Sequence, residues 1–271
     1  MDQGVKRAAE GNETPEFPVE PCGSNMISWP TRISIIIPAY NEEKYLPATL
    51  ASLIRAREFF VARQCCPIEL LVVDNDSTDQ TARIASGFGA CVILERRHNI
   101  AVVRNTGAKA ASGNLLVFVD ADTIVPESFV WRIYQVMSDP AALGGAADTD
   151  YRPTRLVLKV YLRIWRLLGR AMGMAQGAAQ FYRRDVFSIL GGFDERLFMG
   201  EDVDLFWRLK RLARKKDGQV VFIEDVQVVP SCRRFDQWSF WRTMVWTNPL
   251  LIALCQRRQA PWHGWYNDPP R

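Results

Sequence analysis

The sequence predicts an α/β fold, a mostly parallel sheet flanked by helices with a further helical extension at the C-terminal end. Three observations predict it. Short apolar, β-branched runs recur along the first half, and stretches with helical spacing alternate with them; that alternation builds parallel sheets with right-handed crossovers. Polar clusters follow directly after three of the runs, where open α/β sheets collect their ligands. A chain of 271 residues, 48% hydrophobic and 24% charged, suits one large domain with an appendage.

Ile33 to Ile37 (ISIII) is a buried-strand pattern that stops at Pro38. Glu42 to Arg57 has helical spacing through Leu46, Leu50, Leu53 and Ile54. Glu69 to Val73 predicts a second strand, ending at Asp74-Asn75-Asp76-Ser77, and Thr78 to Ser86 a helix capped by Ser77 or Thr78. Cys91 to Leu94 predicts a short third strand, Asn99 to Ala111 a helix of small residues, and Asn114 to Val119 (NLLVFV) a fourth strand that runs into Asp120-Ala121-Asp122. Pro126 opens another helix, and Leu143 to Ala147 predicts a fifth strand. Beyond it, Thr154 to Met174 reads as a long helix and Gln180 to Arg184 as extended or turning. Glycines at 191, 192 and 200 punctuate a loop before a helix from Glu201 to Lys215. Val220 to Ile223 and Val226 to Val229 read as two strands, and Phe235 to Cys255 as an aromatic-rich helical stretch broken near Pro249.

The chemistry lies in carboxylates at the strand exits. Asp120 and Asp122 flank one alanine, and in extended geometry residues i and i+2 point the same way. Two carboxylates side by side repel each other unless a cation lies between them, and oxygen ligands suit Mg2+ or Mn2+ shared with substrate phosphates. The plainer reading is an Asp-rich solvated turn; the apolar strand before it and the matching clusters at Pro38 to Glu42 and Asp74 to Asp76 favour the functional one. Asp74 suits hydrogen bonds from a ribose or base edge, while Asp76, Ser77 and Asp79 also suit simple helix capping. Glu201-Asp202 opens a helix after a glycine-rich loop, where a carboxylate serves as a general base or merely complements the helix dipole.

Four segments in order, ISIIIPAYNEEKYLPATLASL, ELLVVDNDSTDQTARIA, HNIAVVRNTGAKAASGNLLVFVDADT and GGFDERLFMGEDVDLFWRLK, together resemble the family 2 glycosyltransferases of the Rossmann-like GT-A fold. The resemblance spans roughly residues 31 to 232. It implies an inverting transferase that takes a sugar from a UDP- or GDP-sugar and carries it to an acceptor hydroxyl with a divalent metal, Mn2+ or Mg2+. It implies that Pro38, Tyr40 and Glu42 line the nucleotide pocket, that Asp74 and Asn75 sit near base and ribose, and that Arg104 lies near the nucleotide. Asp120 and Asp122 then hold the diphosphate through the metal, and Asp202 is the catalytic base with Glu201 shaping the acceptor site. Two departures stand out. Asn75 takes the place of a second acidic residue, which leaves an amide to face the base. The stretch Val228 to Arg234 lacks the late histidine ligand of many relatives, so Arg233 or Arg234 is a candidate fixed cation for the diphosphate.

Three units follow: a flexible tail over 1–30, a GT-A domain over 31–232 and an aromatic-rich helical extension on the acceptor side over 233–271. The polar N-terminal stretch lacks the apolar run of a secretion signal, and the six cysteines lack metal-type spacing, which points to reduced thiols in the cytoplasm. A net charge of +4 does not by itself call for nucleic acid. No acidic residue lies between Asp150 and Asp185, and Arg155, Lys159, Arg163, Arg166 and Arg170 recur there at helical spacing, opposite Leu156, Val160 and Leu167. That pattern is an ordinary amphipathic helix with a solvated basic face, or an interfacial helix on an anionic membrane surface, joined by Trp238, Phe240, Trp241 and Trp246. The second option makes the protein peripheral on the cytoplasmic face of a membrane, with a lipid-linked rather than a free glycan acceptor. Two rivals share the architecture. A sugar nucleotidyltransferase needs a glycine-rich basic loop after the first strand, where this chain has PAYNEE; a non-catalytic nucleotide-sugar-binding module has no use for the intact acidic set.

Overall fold

The computed structural model describes residues 29–171, 178–248, 252 and 254–258. The N-terminal half alternates β1 (Ile33–Ala39), α1 (Leu46–Val61), β2 (Ile68–Asp74), α2 (Thr81–Gly87), β3 (Cys91–Leu94), α3 (Ile100–Ala110) and β4 (Leu115–Val119). After it come β5 (Thr123–Ile124), α4 (Phe129–Met137), β6 (Ala142–Thr149), α5 (Leu156–Ala171), β7 (Ala179–Arg183), α6 (Arg184–Ile189), α7 (Glu201–Lys216), β8 (Gln219–Pro230), α8 (Arg233–Gln237) and α9 (Phe240–Trp246). The strands form one sheet in the order β3-β2-β1-β4-β7-β6-β8-β5.

Every residue of β1 and of β4 is buried, as a parallel strand covered on both faces requires. Their side chains divide by the period of two. Ile33, Ile35 and Ile37 enter one apolar layer with Leu46, Leu50 and Leu53 of α1 and Phe129 and Ile133 of α4. Ile36 enters the other with Ala101 and Val103 of α3 and Leu205 and Leu209 of α7. The small residues of α3 let it lie close on the sheet: a Cβ at Gly107 would sit 2.8 Å from Val73 Cγ2.

The second half departs from the simple alternation. β1, β2, β3 and β4 pair in parallel, as do β6 and β8, but β7 runs antiparallel between β4 and β6. The 180–184 segment, extended or turning by sequence, is thus a central strand. The two strands expected over 220–229 are one, β8, whose pairing with β6 shifts register between Ala147 and Asp148. The two-residue β5 is too short for any periodicity to reveal. α1 begins at Leu46 rather than Glu42, because the backbone of Asn41 is left-handed (φ 54°) and Glu42 to Tyr45 form a turn. Ser77 and Thr78 do not cap α2. The amide of Asn41 donates to Ser77 Oγ at 2.9 Å, and that of Thr78 to Asn41 Oδ1 at 2.8 Å, so the pair latches two sheet loops together. Of the tail expected over 1–30, residues 1–28 lie outside the described residues; Trp29 packs against the core. The helix expected to 174 is described to Ala171, and much of the stretch around and after Pro249 lies outside the described residues.

Candidate active site

The site opens where β1 and β4 part. The amide of Ile33 donates to the carbonyl of Pro67, and that of Asn75 to the carbonyl of Ala39, so odd-numbered residues of β1 direct their backbone groups to β2. Pro38 therefore turns toward β4 and has no N–H to offer. The β1–β4 ladder ends at Ile36 and Phe118, three residues short of the β1–β2 ladder, which runs to Ala39. Pro38 itself is buried in the sheet, and the loops beyond it and beyond Val119 are free to diverge.

Arg104, buried on α3, stands at the centre. Its guanidinium donates to Glu201 Oε1 at 2.5 Å and to Asp120 Oδ1 at 2.8 Å, and lies 5.3 Å from the Phe193 ring centre. Burial works against its charge, but Asp120, Glu201 and Asp202 more than offset that and hold its pKa above the ordinary value. One side chain thus joins the exit of β4 to the first turn of α7. Gly200 takes the left-handed conformation there (φ 75°), which turns the chain into the helix without a side-chain clash. Glu201 is buried; burial, with the charge of Asp202 behind it, raises its carboxyl to about 7 against the pull of Arg104. Asp202 is only partly buried and accepts a hydrogen bond from the amide of Val203 at 2.8 Å. Burial raises its pKa too, against Arg104, with Asp120 adding to the rise.

A second arginine does the same on the other side. Arg233, at the start of α8, donates to both carboxylate oxygens of Glu42, one at 2.7 Å, and lies 3.2 Å from Asp122 Oδ2. Its guanidinium also covers the Tyr45 ring at 4.4 Å. Asp122 is fixed further by its carbonyl, which accepts from Ser231 at 3.0 Å. Burial lifts the Asp122 carboxyl to about 6; Arg233 opposes the rise, and Glu42 and Asp120 add to it. Arg234, half-buried beside it, has a pKa lowered by burial. The strand-geometry argument for Asp120 and Asp122 is corrected here. β4 ends at Val119 and Asp120 to Thr123 is a turn, so each carboxylate takes its own arginine.

The third cluster divides in role. Asp74 is buried, and its Oδ1 has no hydrogen-bond partner among the described residues, which leaves one acceptor unsatisfied at the end of β2. Asn75 spends its amide donors on the chain itself, at 2.6 Å to the carbonyl of Glu95 and 2.9 Å to that of Arg97. It braces the loop after β3 and keeps only its oxygen to offer a base edge. Tyr40 is partly buried, edge-on to His98 at 4.8 Å between ring centres. The sequence reading missed Tyr151. It follows β6, packs edge-on against Phe235, and its phenol pKa is raised by burial and by the nearby charges of Asp120, Asp122 and Asp202. The signal was its place two residues past the end of β6, a strand exit like those that carry the other polar clusters.

No group of three His, Cys, Asp or Glu side chains among the described residues forms a cage of its own for a metal. Mg2+ and Mn2+ do not need one: they keep water and substrate phosphate as ligands beside one or two carboxylates. Asp120 and Asp122 fit that role, since they lie close enough on one turn for each to act on the other's charge and both carboxylates retain part of their surface.

Comparison with known proteins identifies the family and the fold. Residues 34–190, more than half of the chain, match the model of "Glycosyl transferase family 2". Glycosyltransferase AglE of Haloferax volcanii is 27% identical over 186 residues, covering 63% of this chain and 59% of that protein. The UDP complex of Staphylococcus aureus TarS residues 1–349 superimposes with a TM-score of 0.57 at 21% identity, over 75% of this chain and 62% of that one. The mannosyltransferase PcManGT of Pyrobaculum calidifontis, solved with GDP-Man and Mn2+, gives 0.56 at 21% identity, over 79% and 60%. Both share the GT-A fold of this chain. Matches to curated relatives span between 15% and 59% of the relatives' own length.

Proposed function

Because this chain belongs to glycosyl transferase family 2, we propose that it transfers a sugar from a nucleoside-diphosphate sugar to an acceptor hydroxyl, with inversion at the anomeric carbon. Residues 31–232 are the catalytic unit and 233–271 an extension on the acceptor side. The observation that carries this reading is the double ion pair of Arg104, which ties the Asp120 exit and the Glu201-Asp202 helix start to one rim.

Each residue then has a task. Asp74 accepts from the ribose or base through its unpaired oxygen, Asn75 holds the loop beneath it, and Tyr40 and Glu42 border the nucleotide. Pro38 opens the gap between strands. Asp202 takes the proton of the acceptor hydroxyl as its oxygen bonds to the anomeric carbon, and the bond to the diphosphate oxygen breaks on the opposite face. Its raised pKa makes it a stronger base than a solvated aspartate. Glu201 and Arg104 position that helix start rather than touch substrate. Arg233 orients Glu42 and Asp122 and, with Arg234, adds positive charge near the diphosphate. Asp120 and Asp122 would hold a Mn2+ or Mg2+ ion, which when bound would neutralise charge on the nucleoside diphosphate. The sugar nucleotides named for the structural neighbours, UDP-GlcNAc and GDP-Man, support a UDP- or GDP-sugar. The acceptor is a glycan or lipid-linked hydroxyl, and the reaction belongs in the cytoplasm at a membrane face. None of the described helices is long and apolar enough to cross a membrane.

The test is a panel of UDP- and GDP-sugars scored for binding and for hydrolysis, with and without Mn2+. We expect one nucleotide class to bind, more tightly with the metal. Binding of none of them would sink the proposal.

A further inference from the structure

Helix α5 turns by 100° per residue, and its side chains fall into three arcs. Leu158 and Leu162 lie on one arc and are buried. Arg155, Lys159 and Arg163 lie on a second and are exposed. Between 52% and 75% of the surface of Leu156, Val157, Val160, Ile164 and Leu167, which make up the third, is exposed. The apolar positions Leu156, Val160 and Leu167 thus face outward, while Arg166 of the basic stripe turns inward to the buried Asp148 at 3.0 Å.

The outward apolar arc continues onto α9. Tyr161, beside that arc, meets the Thr247 hydroxyl at 2.5 Å and the Phe240 ring at 5.9 Å, which fixes α9 alongside α5. On α9, Trp241 (74% exposed), Met244 and Val245 point outward on one face. A stripe of this extent on two adjoining helices exceeds the single exposed apolar residues of an ordinary surface.

We infer that the joined faces of α5 and α9 seat this protein on an anionic membrane surface. The apolar arc enters the acyl boundary, Trp241 lies at headgroup level, and Arg155, Lys159 and Arg163 meet lipid phosphates along the edge. Charge selects this occupant over a second copy of the chain. No acidic residue lies between Asp150 and Asp185, so two copies joined by this face would bring like charges together. The inference sharpens the membrane-face location proposed above and does not depend on the donor chemistry.

The experiment is flotation of the full chain with vesicles of phosphatidylcholine alone and of phosphatidylcholine with phosphatidylglycerol, at low and high salt. The wild type floats with the anionic vesicles. The L156Q/V160Q/I164Q/L167Q variant stays in solution with an unchanged circular dichroism spectrum. K159Q/R163Q partitions roughly tenfold more weakly at low salt and loses most of its salt dependence. A wild type that never floats, or a quadruple variant that floats as well as wild type, overturns the inference. So does a solution dimer that the quadruple variant reduces to monomer without any vesicle binding, which assigns the face to a second copy. Nucleotide-sugar binding measured on the same samples without vesicles separates the two readings: flotation lost with donor binding kept sinks the surface alone, and flotation kept with no donor binding sinks the transferase reading alone.

Discussion

The two halves of this molecule, proposed above to serve donor and acceptor, differ in where they send apolar surface. In β1, β2 and β4 the apolar runs go into the core on both faces, and α1 and α3 lay their apolar stripes on the sheet. In α5 and α9 much of the apolar surface points away from it. The difference teaches that hydrophobicity has a destination only when a partner exists. The N-terminal sheet provides one on each side, while α5 lies past the last layer and keeps a face for something else. Arg104 is where the two halves meet, one guanidinium holding a carboxylate from each.

The largest expected effect tests whether chemistry depends on the acceptor half at all. D202N removes the base without changing volume, and we expect kcat to fall by about 10²–10⁴-fold with nucleotide binding preserved by calorimetry. Near-normal turnover would put the base elsewhere. Breaking the joint comes next. R104M leaves buried Glu201 without its cation and Asp120 without its brace, so stability falls by about 3–5 kcal/mol in urea unfolding. A loss under 1 kcal/mol, roughly that of an exposed pair, would mean that the halves are held together by packing alone.

A pH profile sharpens the same comparison. Asp202 acts as a base only when ionised, and burial raises its pKa against the pull of Arg104. Activity therefore falls as pH drops through a value above that of an ordinary aspartate. In R104K, whose point charge matches the two carboxylates less well, the acid limb moves further up; an acid limb at the usual aspartate value in the wild type would contradict a base with raised pKa at this helix start. Within the donor half, G107A pushes a methyl group against Ile36 and Val73 and costs about 1–3 kcal/mol, read from the melting curve. The smallest effect is Y151F, which keeps the ring against Phe235 but removes a hydroxyl that feels the charge of Asp120, Asp122 and Asp202. We expect a change in kcat well below that of D202N and no change in stability beyond about 1 kcal/mol.

Sequence alone determined the strands of the donor half, their polar exits and the acidic set at 120, 122 and 202. These are local facts: a β-branched run of five residues between breakers has few other ways to be buried, and a carboxylate at its end has few places to point. Tertiary structure decided the rest. β7 enters the sheet antiparallel because of which neighbour it finds, Asn75 turns from base reader to loop brace because two carbonyls lie within its reach, and Asp120 and Asp122 each acquire an arginine from a distant part of the chain. The apolar arc of α5 is the plainest case. Its periodicity shows that the helix has two faces, but which face meets the core is set by contacts with residues far away in sequence, and no local pattern encodes those.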